Sequence, residues 1–115
     1  MSADIVRIPL LDAALEPRPE IGQVRSARID LGAGQEAGRH RHPCDVVGYI
    51  AAGTIRFRVE GEEERILRAG DAFHEPAGAP IAQFDNASAH EAATFIAFYL
   101  LPPGEDTLIE MLPAG

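Results

Sequence analysis

Apolar and polar residues alternate most clearly over Thr54–Glu60, TIRFRVE: Ile55, Phe57 and Val59 share one face, and Arg56, Arg58 and Glu60 share the other. A period of two marks a half-buried β-strand. Less regular runs of the same kind occupy Ile5–Ile8, Val24–Leu31, Val46–Ile50, Arg65–Arg68, Ala72–Glu75, Ile81–Phe84 and Thr94–Leu101. Glycine or proline separates most of them, at Gly32–Gly34, Gly53, the charged tip Gly61–Glu64, Ala69–Asp71, Pro76–Pro80 and Pro102–Gly104. Glycine supplies the positive φ that tight turns need, and proline denies the ladder a donor. Pro9–Pro19 reads as a loop with one helical turn. About eight short strands, with turn residues between them and no long helical period, predict an all-β sandwich or barrel.

At 115 residues the chain is sized for one domain, enough to bury about two-thirds of its unfolded surface. Residues 1–26 are expected to form an N-terminal strand and loop, 27–101 the barrel, and 102–115 a C-terminal tail. The net charge is −8, and all ten basic residues are arginine. Such a surface repels phosphate backbones and anionic lipid heads, so neither a nucleic acid nor a membrane is an expected partner. The apolar run Phe95–Leu101 is too short to cross a bilayer. Cys44 is the single cysteine, which leaves no intramolecular disulfide and suits a reducing compartment. Asp4 and Arg7 interrupt any apolar signal-peptide core, so a cytoplasmic location is expected.

The candidate chemistry lies in Arg39–Gly53, RHRHPCDVVGYIAAG. On an extended strand His40 and His42 point to one face, and Arg39 and Arg41 point to the other. Two imidazoles side by side are half of a transition-metal site. Pro43 then ends the ladder. A third ligand is available from the adjacent pair His74 and Glu75, whose side chains must face opposite ways. If Phe73 is core, Glu75 shares its face and completes a two-histidine, one-carboxylate set. If Ala72 is core, His74 faces inward and a three-histidine set results. The aromatic bulk of Phe73 favours Glu75, with His74 the alternative. Cys44 offers a thiolate, but Pro43 disturbs the alternation and a lone cysteine usually packs as a small hydrophobe. His90, in the polar stretch DNASAHEAA, reads as surface, and Tyr49, Phe57, Phe84, Phe95 and Phe98 read as core or interface.

Two spaced patterns stand out. Gly34, His40, His42 and Gly53 fit G-x5-H-x-H-x3,4-E-x6-G, with Val46 at the glutamate position. Gly70, Pro76 and Gly78 fit G-x5-P-x-G-x2-H-x3-N, with Ile81 at the histidine position and Asp85 at the asparagine position. Over roughly Ala27–Leu101 the chain therefore resembles the cupin superfamily. That resemblance implies a double-stranded β-helix, or jelly-roll barrel. It also implies a site where three histidines and a glutamate hold Fe, Mn, Ni or Zn. Two of those four ligands, His40 and His42, are kept here. The expected function is small-molecule binding in a pocket lined by His40, His42, Val46, Ile50 and Ile81. Its metal site would be degenerate or rebuilt on His40, His42 and Glu75 (or His74), or would hold no metal. The alternative is a metal-dependent cupin enzyme of dioxygenase, isomerase or decarboxylase type. The resemblance also implies a homodimer.

Overall fold

The computed structural model describes residues 4–115. Its strands are β1 (Gln23–Leu31), β2 (His40–Arg41), β3 (Asp45–Ala52), β4 (Thr54–Val59), β5 (Arg65–Arg68), β6 (Ala72–Glu75), β7 (Ile81–Asn86), β8 (Ala93–Leu101) and β9 (Glu110–Met111). They form two antiparallel sheets, ordered β1-β8-β3-β6 and β5-β4-β7-β2-β9. This is the jelly-roll barrel that the resemblance implied. The alternation predicted for β4 holds: Ile55, Phe57 and Val59 are buried, whereas Arg56 and Arg58 are partly exposed.

Four phenylalanines join the two sheets. Phe73 and Phe95 come from the first sheet, Phe57 and Phe84 from the second, with neighbouring ring centroids 4.5 to 6.1 Å apart in tilted or edge-to-face contact. Such geometry sets each ring's positive edge against a neighbour's negative face. Gly48 makes room for the cluster. A Cβ there would lie 2.0 Å from the Ile96 carbonyl oxygen and 2.7 Å from the Phe73 ring.

Three expectations change. Ile5–Ile8 is in no strand and lies exposed, its backbone joined to neither sheet. The loop at Pro9–Pro19 bends at Glu16–Pro17 without a helical turn. Tyr49 and Phe98, read as core or interface, face away from the barrel interior, because β3 turns Val46, Gly48 and Ile50 inward and β8 turns Phe95, Ala97 and Tyr99 inward. The segment read as a C-terminal tail also contributes β9, which pairs with the histidine strand β2.

Candidate metal centre

β2 is only two residues long, so its position depends on both neighbours. His40 pairs with Ile81 of β7 on one side and with Met111 of β9 on the other. His40 and His42 are both buried, at 4% exposure each. His40 Nδ1 donates to the Gly38 carbonyl at 2.7 Å, and His42 Nδ1 donates to the Leu108 carbonyl at 2.6 Å. A carbonyl oxygen only accepts, so each ring carries its proton on Nδ1 and turns Nε2 toward the interior.

β6 alternates strictly: Phe73 and Glu75 are buried, while Ala72 and His74 are partly exposed. Phe73 belongs to the aromatic cluster, so Glu75 follows it inward. The His74 alternative is thereby excluded from the cluster. Its Nε2 pairs on the outer face with Asp45 Oδ1 at 2.8 Å, because successive strand residues face opposite ways. Glu75 Oε2 lies 2.6 Å from His42 Nε2, and Oε1 lies 3.6 Å from His40 Nε2. The three donor atoms fall within 4.8 Å of one another, all buried.

The electrostatics follow from this convergence. Burial pushes the Glu75 carboxyl up, but the two imidazoles outweigh it and hold the group below the usual carboxylate range. For His40, burial acts downward, while Glu75 and the Gly38 carbonyl more than compensate and raise it. At 2.6 Å a carboxylate oxygen and an imidazole nitrogen need a shared proton between them. A divalent cation satisfies the same lone pairs. Two Nε2 atoms and a carboxylate are a donor set that suits first-row transition metals, so the residues fit the group that the fold implies.

Beside the cluster is a cavity of about 130 Å³. Its walls include Ala37, Val46, Phe73, Phe84, Phe95, Tyr99 and Ile109. Of the expected lining residues, Val46, His40 and His42 reach it. Ile50 and Ile81 are fully buried in the core and do not border it. Cys44 is buried outside the cluster, its thiol pushed up to about 11 by burial and by the neighbouring Asp45 charge. Tyr99 was legible but overlooked: the alternation of Phe95, Ala97 and Tyr99 puts all three on one face. Burial, then the Glu75 charge, raises its hydroxyl above the usual value. Leu108 and Ile109 left no signal, since they lie in an irregular stretch just before β9.

Residues 27–99 match the family model of the cupin domain. This chain belongs to the cupin family. No curated protein matches it closely. Among solved structures, this cupin is similar to a DMSP lyase from Ruegeria pomeroyi, at TM-score 0.65 and 20% identity over 76% of this chain and 42% of the lyase. An oxalate oxidase in complex with the substrate analogue glycolate gives 0.63 and 25%, over 77% of this chain and 46% of the oxidase. A Thermus thermophilus protein gives 0.61 and 31%, over 79% of this chain and 91% of that one. The chain thus spans less than half the length of the lyase and the oxidase.

Proposed function

We propose that this cupin binds one divalent transition metal through His40, His42 and Glu75, and a small organic molecule in the cavity beside it. The observation that carries the reading is the convergence of two Nε2 atoms and one buried carboxylate on a single point. Fe, Mn, Ni and Zn all suit these donors. When bound, such an ion supplies Lewis acidity to an oxygen of the ligand. The chain's own residues do the rest. The carbonyls of Gly38 and Leu108 hold both imidazoles in the ligating tautomer, and Phe73, Phe84 and Phe95 offer the ligand an apolar wall.

A metal-dependent enzyme of dioxygenase, isomerase or decarboxylase type is the second reading. Three protein ligands leave coordination positions open, as catalytic metal sites do. The likeness to a lyase and an oxidase supports the same reading. A homodimer is part of the proposal, supported by the apolar segment around Ile5, Val6, Ile8 and Leu10, each more than 60% exposed. Light scattering on the purified protein tests that association.

The deciding experiment is elemental analysis of protein purified without a histidine tag or chelator. Near-stoichiometric metal that is lost in His40→Ala/His42→Ala and in Glu75→Gln is the expected result. A wild-type protein that stays empty after soaking in Fe, Mn, Ni and Zn overturns the metal reading.

A further inference from the structure

The cavity wall facing the cluster is chemically uniform. Outside the cluster itself every lining residue but Tyr99 is a hydrocarbon, Phe73, Phe84 and Phe95 among them, and Tyr99 carries the only hydroxyl. The chain has no lysine, and none of its arginines borders the cavity. An apolar cavity of about 150 Å³ holds one benzene molecule, so the present one, about 130 Å³, admits roughly six non-hydrogen atoms.

Charge decides what those atoms are. A divalent ion held by two neutral imidazoles and one carboxylate retains one uncompensated positive charge. In a low-dielectric surround that charge favours an anionic ligand strongly. A second charge on the same ligand would lose its hydration against phenylalanine rings and gain no ionic partner. Resting on the metal reading above, we propose that the cavity selects short-chain monocarboxylates: the carboxylate meets the His40–His42–Glu75 site, and an uncharged tail packs on Phe73, Phe84 and Phe95. Tyr99 is the one lining residue that adds an uncharged hydroxyl, its ring centroid 5.7 Å from that of His42.

The test is calorimetric titration of the Zn(II)-loaded full chain with three probes of matched size. These are butyrate, its neutral counterpart butyramide, and β-alanine, in which an ammonium replaces the terminal methyl. Butyrate is expected to bind at least about tenfold more tightly than either of the others. Ala37→Leu, which adds bulk to the cavity wall, is expected to weaken butyrate by about tenfold and leave zinc affinity unchanged. Butyramide or β-alanine binding as tightly as butyrate overturns the proposal. A zinc-loaded protein that does not distinguish the probes sinks this inference alone, whereas a protein that takes up no zinc sinks the metal reading and this inference with it.

Discussion

Val46 and Glu75 face each other across the β3–β6 ladder, both turned into the barrel. Val46 occupies the position where the first cupin motif has its glutamate, and the only carboxylate of the cluster projects from the opposing strand instead. Directly opposed strand residues have Cβ atoms about 5 Å apart. A carboxylate can therefore move from one strand to the other and still reach the same pair of imidazoles.

This relationship predicts the outcome of a transposition. Glu75→Val is expected to lower metal affinity by about a hundredfold or more, since it removes one ligand of three. Val46→Glu/Glu75→Val is expected to recover affinity to within about tenfold of wild type. Zinc titration against a chromogenic chelator measures both. A double variant that binds no better than Glu75→Val would show that the carboxylate is tied to β6.

The C-terminal stretch sets the orientation of a ligand. Leu108 supplies the carbonyl that receives the His42 Nδ1 proton, and Arg41 meets Glu110 through contacts of 3.0 and 3.1 Å. Deleting residues 108–115 is expected to cost about 10- to 100-fold in metal affinity, the usual effect of losing such a partner. Glu110→Ala is expected to leave both metal affinity and the thermal midpoint unchanged, because its ion pair is exposed to solvent. If the truncated protein retains full affinity, the Leu108 carbonyl does not orient His42.

Cys44 gives a pH prediction whose sign is fixed by burial. Its thiol ionises at about 11 in the fold against 9.0 in the unfolded chain, so the unfolded state loses its proton first. The contribution to stability is complete below pH 9.0 and is lost as the pH climbs through about 11. At pH 8 a thiol reagent is accordingly expected to label native protein far more slowly than protein in denaturant. Equal rates in the two states would mean that Cys44 is accessible.

Gly48→Ala is expected to destabilise the barrel by about 3 kcal/mol or more. The added methyl overlaps a backbone oxygen of β8 and the Phe73 ring, and neither can move without breaking the ladder or the aromatic cluster. Chemical denaturation of the soluble fraction measures the loss. A near-wild-type midpoint would mean that β3 and β8 separate more easily than their register indicates.

Much of this architecture was legible in the chain because period-two alternation is local. It marked β4 without ambiguity, placed His40 and His42 on one face, and tied Glu75 to Phe73 whichever way the strand turned. Glycine and proline spacing carried the likeness to cupins for a similar reason, since turn chemistry is read residue by residue. The Ile5–Ile8 run shows the limit: its residues suit a strand, but a strand forms only by pairing, and this run pairs with neither sheet. Only the tertiary structure decided that Phe73 rather than Ala72 is core, which sent Glu75 to the histidines and His74 out to Asp45. It alone opposed Glu75 to Val46, and it alone carried the Leu108 carbonyl to His42 across 66 positions of sequence. These pairings depend on the register between distant strands, which arises from packing the two sheets over one aromatic core and is written in no local period.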